Sequence, residues 1–151
     1  MMKKICSLAA VCLLLISMTA CGTPDVDLQA VKTDMQTQLS IANATDLPVD
    51  TLLSLYGITA ESVADSASFM ILSDVFPAEC IMIKATDTTA AADVAAKLQT
   101  RLDSLKVQSQ NYDPESYAIA QACTVLVNDV YVAMFFSEYG AQMETIYNSY
   151  F

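Results

Sequence analysis

Ala122-Cys123-Thr124-Val125-Leu126-Val127-Asn128-Asp129-Val130-Tyr131-Val132-Ala133-Met134-Phe135-Phe136 is the stretch whose reading decides the fold. Two β-rich runs, residues 122–127 and 130–136, flank Asn128-Asp129, a pair of residues that tolerates positive φ and suits a two-residue hairpin turn. Such a loop predicts Val127 opposite Val130, Val125 opposite Val132 and Cys123 opposite Met134 on one face, with Leu126 and Tyr131 on the other. Both faces are apolar. The outer one is therefore either covered, in part by the first helix, or offered to a partner.

An earlier segment repeats the pattern. Residues 67–73 read as a strand, residues 74–78 with Pro77 as a turn and residues 79–85 as a second strand. Alternation puts Ile81 and Ile83 toward the core and Cys80 and Met82 away from it. Between the hairpins, Asp87 is placed to cap a long helix through Ala91, Val94, Ala95, Leu98, Leu102 and Leu105, with Asp93 and Lys97 paired at i,i+4 on its polar face. Residues 111–114 end that helix, and Pro114 starts a short one running through Ala120. Upstream, Leu28, Val31, Met35, Leu39 and Ala42 recur at helical spacing, with Pro24 in the first turn and an end near Ala44. Residues 50–56 form a helical turn stopped by Gly57. Downstream, Tyr139, Met143, Ile146, Tyr147 and Tyr150 outline a last helix. The order α-ββ-α-ββ-α predicts an α+β domain: a two-layer antiparallel sheet of about four strands in two hairpins, with helices mainly on one face.

Ahead of this domain lies an export signal. Lys3 and Lys4 precede an uncharged apolar run over residues 5–18, which suits a signal-peptide core and falls short of the about 20 residues a spanning helix needs. Met18-Thr19-Ala20-Cys21 has a bulky apolar residue at −3, a small one at −1 and cysteine at +1. It resembles the lipobox of bacterial lipoproteins, with Met18 standing where leucine is usual. The resemblance implies that the Cys21 thiol carries a diacylglyceryl group and becomes the new N-terminus. Two acyl chains give stable anchoring where one is marginal. The expected organisation is thus a signal peptide over 1–20, a lipidated cysteine and short tether over 21–25, and one domain over 26–151. Such a chain would sit on the extracytoplasmic face of the cell membrane.

The whole sequence has a net charge of −10, with 7 cations, 17 acids and no histidine. Once Lys3 and Lys4 leave with the signal segment, Lys32, Lys84, Lys97, Arg101 and Lys106 stand against all the acids. A surface this acidic excludes nucleic-acid binding, which needs clustered cations, and does not adhere to anionic lipid by charge. Without histidine there is no Ser-His-Asp or Cys-His catalysis and no histidine-based zinc site. Cys6 and Cys12 belong to the signal segment. Cys80 and Cys123 sit in apolar strands, where unpaired thiols behave as small core residues. No CxxC pair, phosphate-binding glycine loop or calcium loop is present, so no metal, cofactor or catalytic residue is expected. The 17 acids leave open a carboxylate pair of the glycosidase kind.

From about Phe69 onward the chain resembles a family of small bacterial lipoproteins, the domain of unknown function 4358. The matching features are Glu79-Cys80-Ile81-Met82-Ile83-Lys84 with Asp87, the helix carrying Arg101, Tyr112-Asp113-Pro114-Glu115 with Tyr117, and the closing strand at Tyr131-Val132. The resemblance implies a grouping and a compartment, and no site residues.

Lys84 at a strand end, Arg101 on the polar helix face, and Tyr112 and Tyr131 are the candidate contacts to a ligand or partner. Lys84 and Arg101 are each suited to an anionic ligand, a buried carboxylate or a surface ion pair. The expected role is a non-catalytic binding or scaffolding module that meets a membrane or cell-wall protein. The alternatives are a small-ligand or cell-wall-fragment binder and a carboxylate-based cell-wall hydrolase. A scaffold should show an apolar patch without a deep pocket, a ligand binder a pocket of several hundred Å³, and a hydrolase two acids in one cleft with one pKa raised.

Overall fold

The computed structural model describes residues 24–72 and 76–151. The signal segment, the lipobox with Cys21, and the middle of the first expected hairpin loop at Asp74 lie outside the described residues.

The chain order is helix α1 (Leu28–Gln38), strand β1 (Ala44–Asp46), helix α2 (Val49–Tyr56), a 3-10 turn (Ala60–Ser62), strands β2 (Val63–Ser66), β3 (Phe69–Ile71) and β4 (Ala78–Ala85), helices α3 (Thr88–Ser109) and α4 (Pro114–Ala122), strands β5 (Val125–Asn128) and β6 (Tyr131–Phe136), and helix α5 (Gly140–Asn148). The domain is α+β with one antiparallel sheet of six strands and five α-helices among the described residues. The sheet order is β1-β3-β4-β6-β5, with β2 also paired to β4.

Six strands, in place of the about four expected, arise from two local events. The first is the early end of α1. Ser40 adopts φ 54°, and the Ile41 and Ser40 amides return to the carbonyls of Gln36 and Thr37, closing the helix as a Schellman motif without glycine. Residues 44–46 are then free to pair as β1 with β3, and the expected helix end near Ala44 is corrected to Gln38. The helix also starts later than Pro24. Asp27 is its N-cap, accepting the Gln29 and Ala30 amides. The second event is an additional strand, β2, ahead of the expected strand over residues 67–73, which is itself shortened to β3. β2 and β3 share one edge of β4, separated at Ala67-Ser68. There the buried Ser68 hydroxyl takes the Met82 amide at 3.1 Å, standing in for a ladder partner.

Other local expectations hold. Asp87 caps α3 through the Ala90 amide, and α4 starts at Pro114, where Asp113 turns out to be its N-cap. Gly57 ends α2 at φ 70°. In the β5–β6 hairpin the register slides by two: Val127 pairs with Val132 and Val125 with Met134, with Asp129 at φ 54° in the turn. The turn is thus Asp129-Val130 in place of the expected Asn128-Asp129, and the even slip keeps the paired strand residues on their expected faces while Val130 moves to the Tyr131 side.

The layering differs from the two-layer expectation. Ile81, Ile83, Val132, Met134 and Phe136 pack on α2, α3 and α4 through Leu52, Tyr56, Val94, Leu98, Leu102 and Ala120. Cys80, Met82, Tyr131, Ala133 and Phe135 pack on the opposite side against Leu28, Val31 and Met35 of α1 and Met143 and Tyr147 of α5. The sheet is therefore sandwiched between two helical layers. All six residues of β6 are buried, as a strand covered on both faces requires. Cys80 and Cys123 fall on opposite faces of the sheet and are both free, as the alternation implies.

Candidate functional site

Three features of this sandwich carry polar chemistry: two side-chain trios at opposite ends of β4, and a groove beside α4.

Glu79 opens the core-facing series Glu79-Ile81-Ile83 on β4 and is 1 % exposed. Its carboxylate accepts the Tyr56 hydroxyl at 3.0 Å from α2 and Arg101 Nε at 3.1 Å from α3, with a further short contact from Arg101 Nη2. Three elements thus converge on one carboxylate, which satisfies the rule that a buried charge be paired and hydrogen-bonded. Burial, with the Glu79 charge beside it, pushes the Tyr56 hydroxyl well above the usual phenol range. The hydrogen bond to Glu79 raises Arg101. The trio is saturated by its own members, so it ties α2 and α3 to the sheet.

The second trio sits at the far end of β4. Lys84 Nζ lies 2.6 Å from Asp25 Oδ1, and the Tyr131 hydroxyl donates to the same oxygen at 3.2 Å. Tyr131 also accepts the Val26 amide at 2.9 Å, and the Lys84 ammonium stands 5.5 Å from the Tyr131 ring centroid. The Lys84 hydrogen bond holds Asp25 below the usual carboxylate range, and the Asp25 hydrogen bond raises Lys84. These bonds fasten the incoming chain at residues 25 and 26 to the sheet.

The four sequence candidates therefore do not form one site. Lys84 and Tyr131 are ladder partners and meet at the N-terminal fastening. Arg101 holds a buried carboxylate. Tyr112 is 85 % exposed beyond α3 and joins neither trio. Glu79, Tyr56 and Asp25 were not anticipated. For Glu79 a signal existed: it is a carboxylate two residues before Ile81 on the core face of a strand.

The groove has two adjoining hollows of about 310 and 300 Å³. Ile119, Ser137 and Glu138 line both. Phe76, Phe136 and Tyr139 floor the first, with Asp113 and Glu115 at its side. Ala118, Phe135 and Ala141 floor the second, with Glu144 at its side. α4 forms one wall and the corner leading into α5 the other. The Ser116 hydroxyl donates to Asp113, and that bond holds the Asp113 carboxyl below its usual range. This is the wrong direction for a general acid. Among the described residues no group of three or more histidine, cysteine, aspartate or glutamate side chains is arranged to hold a metal ion. No described helix is long and apolar enough to cross a membrane.

A family model described as a domain of unknown function (DUF4358) matches residues 37–137. No curated protein and no solved structure matches the chain. The matched span contains both partners of the Glu79–Arg101 pair, Lys84, Tyr131 and the α4 wall of the groove. Asp25 and the start of α5 lie outside it.

Proposed function

The chain belongs to the family of the domain of unknown function DUF4358, and from that premise we propose that it is a non-catalytic binding module, held by a lipidated Cys21 at the outer face of the cell membrane after removal of residues 1–20. The observation that carries the reading is the groove along α4. It is an apolar trough of several hundred Å³ with carboxylates along its sides and a capping aspartate held ionised. That composition suits recognition of a ligand or a segment of a partner. Asp113, held below its usual range, is unsuited to the acid role that the hydrolase alternative needs. Two buried thiols on opposite sheet faces offer no redox pair.

The fastening of the chain supports the membrane reading. Asp25 is four residues past Cys21 and is bonded to the Lys84 end of β4, whereas the groove touches Ala78 and Phe136 at the other end. At about 3.3 Å per strand residue, the anchor end and the groove stand roughly 20 Å apart along the sheet. A domain tethered so closely would hold its groove outward, toward membrane ectodomains or wall components.

The test is photo-crosslinking in cells from position 119, in the wild type and in Cys21→Ser. The expected result is a discrete membrane- or wall-associated product that depends on Cys21. Products from an exposed position that lines neither hollow, such as Asp50, that equal those from position 119 would sink the reading.

A further inference from the structure

The cations among the described residues are all in ion pairs, and none lines the groove. Lys32 pairs with Asp46 at 3.1 Å, Lys84 with Asp25 at 2.6 Å, Lys97 with Asp93 at 2.7 Å and Lys106 with Asp103 at 3.9 Å, while Arg101 is held by Glu79. The groove's own carboxylates are left out of this pairing. Glu115 and Glu138 of the first hollow, and Glu138 and Glu144 of the second, take part in no ion pair among the described residues. They surround apolar side chains: Ile119, Phe135, Phe136 and Tyr139. Clefts lined by one sign of charge with low-dielectric walls focus the field and concentrate the opposite charge. These carboxylates are open to a counter-charge from outside the chain, on a molecule that also has apolar groups to cover the trough.

We infer that the groove binds a basic, apolar-interleaved peptide segment of an extracytoplasmic partner, laid along α4 so that lysine or arginine side chains meet Glu115, Glu138 and Glu144 while apolar ones fill the two hollows. The inference rests on the binding reading above and names the chemistry of its ligand. A peptide fits better than a small amine because the two hollows adjoin, share Ile119, Ser137 and Glu138, and each carry carboxylates beside apolar side chains. An anionic wall fragment is disfavoured by the same charges.

The experiment is fluorescence anisotropy on the purified protein with labelled acetyl-Arg-Leu-Lys-Phe-Arg-amide, its Glu-Leu-Glu-Phe-Glu counterpart and spermidine as competitor. Binding of the basic peptide is expected, weakening with salt, with no binding of the acidic one and poor competition by spermidine. The triple variant Glu115→Gln, Glu138→Gln, Glu144→Gln should lose about tenfold in affinity, the sum of three exposed charge pairs. A variant with equal charge removed elsewhere, Asp50→Asn, Glu61→Gln, Asp65→Asn, should change less than about twofold by the same measure. Equal losses in the two variants would show attraction to net charge alone and overturn the inference, as would no binding of the basic peptide. Binding of the acidic peptide in its place would overturn the cation preference and leave the binding reading standing.

Discussion

The two ends of β4 carry the same three kinds of group in opposite settings. At Glu79 a carboxylate, a guanidinium and a phenol meet with the carboxylate out of water. At Lys84 a carboxylate, an ammonium and a phenol meet with the carboxylate 87 % exposed. The composition is nearly matched and the physics is not. A buried charge must be compensated inside the protein, so each lost partner leaves a desolvated group behind. An exposed charge falls back on water when its partner goes. The first trio therefore bears on whether the domain holds together, and the second on where the chain enters it.

The sharpest way to break this contrast is to remove Arg101. Arg101→Met leaves Glu79 buried with only the Tyr56 hydroxyl, and should cost about 3 kcal/mol, the low end for a buried pair because the guanidinium reaches solvent. Urea unfolding reads the loss as a lower midpoint at unchanged slope. Adding Glu79→Leu to the same chain removes the stranded charge and should recover most of that loss. A double variant no more stable than the single one would mean that Glu79 matters for its hydrogen bonds to Tyr56 more than for its charge.

Tyr56→Phe comes next. It deletes a hydrogen bond to a charged acceptor and should cost about 2 kcal/mol. The same hydroxyl gives a pH dependence. Burial raises Tyr56, Tyr147 and Cys80, and pushes Cys123 up to about 11 from 9.0. In each case the folded state keeps a proton that the unfolded chain releases. These groups therefore leave stability intact below about pH 9 and lower it as pH rises further. Urea midpoints should be flat from pH 7 to about 9 and then fall. Tyr56→Phe should fall less steeply than wild type above about pH 10. Parallel slopes would show that Tyr56 contributes nothing to the alkaline loss.

How much of this contrast was legible in the sequence follows from what each part depends on. The cap at Asp87, the helix start at Pro114, the stop at Gly57 and the two faces of β4–β6 depend on neighbours in the chain, and their residue types declare them. The end of α1 was hidden because Ser40 takes a left-handed conformation that sequence reading reserves for glycine. β2 was missed because residues 63–66 pair with β4 on the same edge as β3, beyond a break where the Ser68 hydroxyl replaces a backbone partner. The second helical layer was half visible, since an apolar pattern on both faces of β6 demands two covers but does not say which helices supply them. The partners Tyr56–Glu79–Arg101 come from three elements brought together only by the finished core, and the groove from α4 meeting the corner before α5. Such convergence leaves no local spacing to find. Arg101 and Lys84 were legible as residues with a partner to satisfy, and which partner was not.

The smallest effects belong to the exposed trio, and their smallness is the point. Tyr131→Phe removes the acceptor of the Val26 amide and should cost about 1 kcal/mol. Its ring, edge-on to Phe151 at 5.2 Å, stays in place. Asp25→Asn should leave the urea midpoint within error, because the lost ion pair was already solvated. What it should change is local. With Lys84 and Tyr131 no longer holding residue 25, the segment entering α1 opens more often without the domain unfolding. Hydrogen exchange at the Val26 amide should quicken in Asp25→Asn while core amides of β4 and β6 keep wild-type protection. Quickening across the whole sheet to the same degree as at Val26, or a midpoint loss matching that of Arg101→Met, would erase the distinction between the two ends. If only the local opening appears, the exposed trio acts as a fastening whose energy is spent on position rather than on stability. That is the property required of a junction four residues from the anchor proposed at Cys21, where the direction of the groove would depend on how firmly the first turn is held.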